Sequence, residues 1–306
     1  MPWFKGNLHT HTIRSDGDSS PDDVVQLYAK SGYDWLAISD HNLGFPEEDA
    51  QRLTDKYSIL VIPANEVGGT GHVVGLGITG QTDRTEFDIS DVYQSLQRGV
   101  DWVRDQGGIP VLAHPNWQSK KYASRWDGTT MASIRDCNLF EIYNASPDCN
   151  TFAAGGEPGT DDIWDSGLCQ GAHFFGVGSD DAHVFRNDSY ENPLKFGLPK
   201  QGWTFVECEI LNQQSILKSL EAGRCIAASS SAHPIRMDIA NGKYIVEFKD
   251  QYPHFHFTTS FIGPDGILSQ CHGNRAEYSL SGVSKWVRAR VFCSSGKYLW
   301  LQPIWL

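Results

Sequence analysis

Two histidines stand one residue apart in Asn7-Leu8-His9-Thr10-His11-Thr12, and Asp16 follows beside Gly17. On an extended segment, residues i and i+2 point to the same face, so His9 and His11 present their imidazoles together. Imidazole with carboxylate suits zinc, manganese or iron. Two surface histidines paired by chance have the same local pattern, and His-x-His alone does not separate the two readings. The remaining chain repeats the chemistry at His41, Glu66, His72, His114, Asp181 and His183. Several imidazoles with carboxylates able to bridge are the donor set of a multinuclear hydrolytic metal site.

The elements that must position these residues follow one pattern. Residues 7–12 read as a buried strand ending in the histidines. Ser20-Pro21-Asp22-Asp23 opens a helix: Ser20 caps, Pro21 fits the first turn, the two acids favour its positive end, and Gly32 stops it. Trp35–Ser39 is a strand that ends in Asp40-His41-Asn42, and Ile59–Pro63 is one that ends at Asn65-Glu66-Val67. His72 begins a further strand. A helix from about Ser90 to Gln106 carries Val92, Leu96, Val100 and Val103 at helical spacing. Ile109–Ala113 ends at His114-Pro115-Asn116, Leu139–Tyr143 ends at Asn144, and Phe174–Gly178 ends at Ser179-Asp180-Asp181-Ala182-His183, with short helices between. Six of the eleven histidines therefore lie at or beside expected strand ends. Strand, polar tip and helix in repeated alternation predict a parallel sheet, and about seven such units predict a closed α/β barrel with its polar face at the strand C-termini.

Near residue 200 the pattern changes. Gln213–Ala222 is one more helix, and Ala227–Ala232 is rich in small residues. From Pro234 short alternating runs are separated by Asn241-Gly242, Pro264-Asp265-Gly266 and Ser295-Gly296, which predicts a small β-sandwich. The expected division is residues 1–228 as the barrel and 229–306 as the β domain.

Composition narrows the function. The chain has 306 residues, 40% apolar, with a formal net charge of -12, which argues against a nucleic-acid surface. The seven cysteines are scattered without a Cys-x-x-Cys pair, which predicts reduced thiols in a cytoplasmic protein and no cysteine zinc site. No spanning segment is read, so the expected partner is a small molecule, without a membrane. No Gly-x-Ser-x-Gly elbow is present either.

His9-Thr10-His11 with Asp16, Ser39-Asp40-His41, Glu66, His114-Pro115 and Gly178-Ser179-Asp180-Asp181-Ala182-His183 together resemble the PHP family, the polymerase and histidinol phosphatase metallohydrolases, over roughly residues 1–190. Leu220-Glu221-Ala222-Gly223-Arg224 and the closing Trp300-Leu301-Gln302-Pro303-Ile304 resemble the carbaryl-hydrolase-like branch of that family. The resemblance implies a distorted (β/α)7 TIM-like barrel holding two or three divalent ions of zinc, manganese or iron. It implies that His9, His11, Glu66 and Asp181 hold one ion, that Glu66, His72 and His114 hold a second, and that Asp16, His41 and His183 hold a third. Glu66, Asp181 and His183 are then catalytic as well. Two ions sharing one carboxylate sit about 3.5–4 Å apart, and a bound water whose pKa falls towards about 7 is the expected nucleophile.

Asp40 and Asp180 read either as acceptors for a ligand histidine or as helix caps. Arg14, Asn116, Asn144 and Arg186 are the expected substrate contacts, with Lys120, Lys121 and Arg125 as further loop cations. Trp117, Tyr122 and Trp126 lie in the same stretch. His254 and His256 read as the polar side of a strand. The leading function is hydrolysis of a small phosphomonoester or cyclic phosphodiester. Hydrolysis of a carboxylic ester or carbamate at the same site is the alternative, and an inactive binding module a third, which would require lost ligands.

Overall fold

Ser20 Oγ accepts from the Asp23 amide at the head of α1 (Pro21–Lys30), whose buried face is Val24, Val25 and Tyr28. That face packs on one side of a sheet formed by β1 (Trp3–Asn7), β2 (Trp35–Ile38) and β3 (Leu60–Gly68), helped by Leu53 of α2 (Glu47–Tyr57). Trp35, Ala37, Ile62 and Ala64 alternate onto the opposite side, where they meet Val74, Val111, Leu139 and Val177. With both faces covered, these strands are apolar without interruption until their tips. The computed structural model describes residues 1–118, 124–186, 197–249, 252 and 254–306.

The remaining strands are β4 (His72–Leu76), β5 (Ile109–Leu112), β6 (Leu139–Asn144), β7 (Phe175–Ser179), β8 (Trp203–Glu207), β9 (Cys225–Ala228), β10 (His233–Ala240), β11 (Lys243–Lys249), β12 (Phe257–Gly263), β13 (Gly266–His272), β14 (Arg275–Ser279), β15 (Trp286–Cys293) and β16 (Lys297–Trp305). The helices after α2 are α3 (Val92–Asp105), α4 (Gly128–Ser133), α5 (Thr160–Cys169) and α6 (Gln213–Glu221). One 13-stranded sheet runs β13-β12-β15-β16-β9-β8-β1-β2-β3-β4-β5-β6-β7, and β10-β11-β14 form a second.

Three features differ from the sequence expectation. First, the sheet is mixed. β1–β2, β2–β3, β5–β6 and β6–β7 are parallel, but β4 is antiparallel to both neighbours and β8 is antiparallel to β1. The tight Gly68–Gly71 connection leaves no room for the crossover helix a parallel step needs.

Second, the ladder is not closed into a barrel among the described residues. Where β7 comes round to β8, side chains take the place of backbone pairing. Thr204 Oγ1 accepts from the Gly178 amide and donates to its carbonyl, while buried Gln302 does the same for Gly176 through its amide group. A Cβ on Gly178 would lie 2.6 Å from the Trp203 carbonyl oxygen, so glycine permits this approach.

Third, the C-terminal strands continue the main sheet. β16 pairs with β9 at Leu299↔Ala228, and β15, β12 and β13 follow outward. The strand expected over 7–12 is shorter and earlier, because the backbone beyond Asn7 turns to other tips. The His11 amide donates to Ala182 O, and the Ser39 amide to Thr10 O.

All seven cysteines are free, and five of them are buried. No helix among the described residues is long and apolar enough to cross a membrane.

Candidate metal centre

Asn7 closes β1 and knits three tips together. Its amide nitrogen donates to His9 O, Thr10 Oγ1 and Tyr28 Oη, and its Oδ1 accepts from the Asp180 amide. Asp40 accepts from the Thr12 amide, Thr12 Oγ1 and Ser15 Oγ at 2.7–2.8 Å, fixing the loop that carries Asp16. Asp180 accepts from Tyr28 Oη and from the amides of Lys200, Gln201 and Gly202, and burial still pushes its carboxyl up to about 6. Neither aspartate touches a candidate ligand histidine or caps a helix. Both set the loops that hold the ligands.

Glu66 stands at the centre, within β3 and almost completely buried. Its Oε1 lies 2.7 Å from His72 Nδ1 and 3.1 Å from His114 Nε2. Its Oε2 lies 2.9 Å from His41 Nδ1 and 3.2 Å from Nε2 of both His9 and His11. Asp181 Oδ1 faces the same two ring nitrogens at 3.3 and 3.2 Å. At the rim, Asp16 reaches His183 Nε2 at 3.4 Å, His41 Nε2 at 3.6 Å and His11 Nδ1 at 3.7 Å. Seven of the nine expected ligands fall into three convergent groups: His9, His11 and Glu66; His41, Glu66 and His72; and His11, Asp16, His41 and His183. His114 and Asp181 adjoin them, His114 through Glu66 and Asp181 through His9 and His11. The grouping differs from the implied one in that His41 faces Glu66 as well as Asp16. The Glu66 segment forms a bridge with His41 itself.

Whether these residues fit metal ions is tested by their unpaired atoms. Glu66 Oε2 has three ring nitrogens around it yet accepts no well-directed hydrogen bond. His9 Nε2 and His11 Nε2 lie 3.1 Å apart. Two nitrogens bound to one zinc at about 2.0–2.1 Å are separated by about 3.3 Å at a tetrahedral angle, so this spacing matches a shared cation. The ring of His9 is fixed from behind: Glu141 Oε1 sits 2.8 Å from its Nδ1, which leaves Nε2 facing the centre. His114 and Asp181 have φ values of 22° and 49°, a left-handed backbone that costs about 1–3 kcal/mol each in non-glycine residues.

Electrostatics point the same way. Burial raises Glu66 and Asp181, but the surrounding imidazoles outweigh it and hold both carboxyls well below the ordinary range. Burial disfavours a charged His9, yet Asp181, Glu66 and Glu141 outweigh that and hold its ring well above the ordinary value. In the protein alone, protons must supply the positive charge that these carboxylates demand. Divalent ions would supply it instead.

A cavity of about 630 Å³ opens over the centre, lined among others by Asp16, His41, Glu66, His72, His114, Asp181 and His183. Trp117 walls it at 5.0 Å from the His72 ring and 5.2 Å from that of His114, with its indole N–H donated to Asp148.

The expected substrate contacts fare differently. Arg14 turns to Gly44 O and the Phe45 ring. Asn116 spends its amide on Asn150 O and Pro158 O, and Asn144 on Glu141 and Asp181. Arg125 pairs with Glu157, and Arg186 is exposed outside the cavity lining. Trp126 is core, packed on Phe140. Lys120, Lys121 and Tyr122 lie outside the described residues. His254 and His256 join none of the convergent groups, and His173 stacks on Trp305.

Sequence reasoning missed Glu141, a carboxylate inside the apolar strand Leu139–Asn144, where an isolated charge is itself a signal. It also missed Arg84, which lines the cavity.

Against known proteins, no family model matches. An uncharacterised protein of Methanocaldococcus jannaschii is 24% identical over 126 residues, covering 37% of this chain and 68% of that one. Among solved structures, a two-domain protein containing a predicted PHP-like metal-dependent phosphoesterase, from Bacteroides vulgatus, matches 95% of this chain and 90% of its own, with a TM-score of 0.55 at 14% identity. The two share a fold. An amidohydrolase from Chromobacterium violaceum, with bound sulfate and no metal, matches 58% of this chain and 87% of its own, with a TM-score of 0.42 at 15% identity.

Proposed function

We propose that this protein is a metal-dependent hydrolase of a small phosphomonoester or cyclic phosphodiester. The observation that carries the reading is Glu66, a buried carboxylate whose two oxygens face two separate sets of ring nitrogens. Divalent ions bound there supply Lewis acidity and an activated water at neutral pH.

The chain's own residues do the rest. Glu66 belongs to both halves of the centre and fixes their separation. His9, His11 and Asp181 converge on one half, and His72 and His114 on the other. Glu141 holds the His9 ring in one tautomer. His183 Nδ1 lies 2.9 Å from Asp181 O, so Nδ1 carries the proton and Nε2 faces Asp16 at the rim. Zinc, manganese and iron all suit this donor set.

Trp117 and Leu43 give the cavity an apolar side. With the tail's resemblance to the carbaryl-hydrolase-like branch, they favour an aryl ester or carbamate as the second reading. Metal-reconstituted protein assayed on phosphomonoesters, cyclic phosphodiesters, aryl esters and carbamates separates the two. In isotopically labelled water, one solvent oxygen should enter the phosphate in a single turnover. A phosphorylated enzyme, or label in the alcohol, would overturn the assignment.

A further inference from the structure

The wall of the cavity above the centre carries four carboxylates, Asp16, Glu66, Asp148 and Asp181. Among the described residues, the one arginine or lysine in that wall is Arg84. Arg14 and Arg125, which the sequence offered for charge neutralisation, are committed elsewhere. The Arg84 side chain makes no hydrogen bond or ion pair among the described residues, and Arg84 is an exposed residue of the cavity lining.

Its backbone is held in place. Asp83 Oδ1 accepts from the Thr85 amide and hydroxyl, Phe87 is buried, and Arg98 donates to Glu86 O, so the short 3-10 turn Arg84–Phe87 is fixed at both ends. Just upstream, the Thr82 amide donates to Asn42 O and Gln81 bridges Leu43, which ties the same connection to the residues after His41. A planar fork of donors on an anchored turn, in the lining of the cavity that holds the candidate ligands, is suited to grip an oxyanion bidentately.

We propose that Arg84 binds the anionic group of the substrate and selects doubly charged phosphomonoesters over less charged esters. This rests on the phosphoesterase reading above. A dianion entering a wall of carboxylates needs a counter-charge besides the ions, and among the described residues Arg84 is the arginine or lysine in that wall.

The test compares metal-loaded wild type, Arg84→Ala and Arg84→Lys on 4-nitrophenyl phosphate, methyl 4-nitrophenyl phosphate and 4-nitrophenyl acetate. Metal content is measured for each. Arg84→Ala should lose about tenfold to hundredfold in kcat/KM on the monoester with native metal content. The loss should shrink for the diester and be smallest for the acetate. Arg84→Lys should recover part of it, and the inhibition constant for inorganic phosphate should rise in parallel. A monoester rate within twofold of wild type would overturn the role of Arg84 and leave the phosphoesterase reading standing. If wild type hydrolyses no phosphoester, that reading fails. Calorimetric binding of inorganic phosphate then decides Arg84 separately, since equal affinity in wild type and Arg84→Ala would exclude it as the anion receptor.

Discussion

Arg288 and Glu66 are both buried charges, and their surroundings differ in kind. Arg288 Nε and Nη2 donate to Asp165 at 2.6 and 2.8 Å, Nη2 also meets Asp161 at 2.8 Å, and the guanidinium lies 4.9 Å over the Trp164 ring. Asp161 in turn accepts from Arg290 and the Trp300 indole. Two arginines answer two aspartates. Around Glu66 the neighbours are imidazoles, neutral unless protonated, and one carboxylate oxygen is left without a hydrogen bond. The first cluster pairs fixed opposite charges on folding and welds β15 to α5, although Arg288 Nη1 and Asp161 Oδ1 also lack a well-directed hydrogen bond. The second draws its positive charge from protonated imidazoles in the protein alone, and from divalent ions in the function proposed above. Buried charge answered by permanently charged arginines marks structure, and buried charge answered only by titratable imidazoles marks a candidate site.

The largest effect should separate the two clusters. Glu66→Gln removes the carboxylate shared by both halves of the centre and should cost several kcal/mol of transition-state stabilisation, about a thousandfold or more in rate. In the metal-free protein the surrounding imidazoles hold the Glu66 carboxyl well below its ordinary range, so Glu66→Gln should lower the unfolding temperature at neutral pH. Near-native turnover would break the bridging role.

Arg288→Ala should leave the metal centre intact. It leaves Asp161 and Asp165 buried without their partner, at a cost of about 3–5 kcal/mol. Denaturant unfolding should show that loss, while the folded fraction keeps wild-type metal content. Unchanged stability would remove Arg288 from the account.

Glu141→Gln sharpens the contrast within the site. It touches no proposed ion but frees the His9 ring, and metal affinity should fall about 10- to 100-fold by competition with a chelating dye.

The smallest effect belongs to a solvated pair. Lys56 and then Arg52 donate to Asp22 and hold its carboxyl at about 2. Its contribution is present above the ordinary carboxyl range and is lost as pH falls through 4 towards about 2. Asp22→Ala should therefore cost below about 1 kcal/mol at neutral pH, measured by thermal unfolding.

Much of the site could be read from the chain because its polar tips interrupt apolar strands. Asp40-His41 ends Trp35–Ile38 and Asp181-Ala182-His183 follows Phe175–Ser179, so strand and ligand are legible together. Glu141 was not legible as a partner of His9, since 132 residues separate them and only the folded register brings them together. Arg84 sits in a turn whose anchoring to Asn42 is equally non-local.

In the fold, α2 escaped because its sequence is almost wholly polar and buries only Ala50 and Leu53. The tail's alternating strands were legible as strands. That β16 would pair with β9 and extend the main sheet depends on long-range register, which alternation does not encode.

The central claim is that the Glu66 cluster is incomplete without metal. Elemental analysis of protein produced with zinc, manganese and iron available, and checked for folding, tests it most directly. The account predicts two or three transition-metal ions per chain, falling in Glu66→Gln and unchanged in a His254→Ala/His256→Ala double variant. A folded chain that holds no metal under those conditions would contradict it.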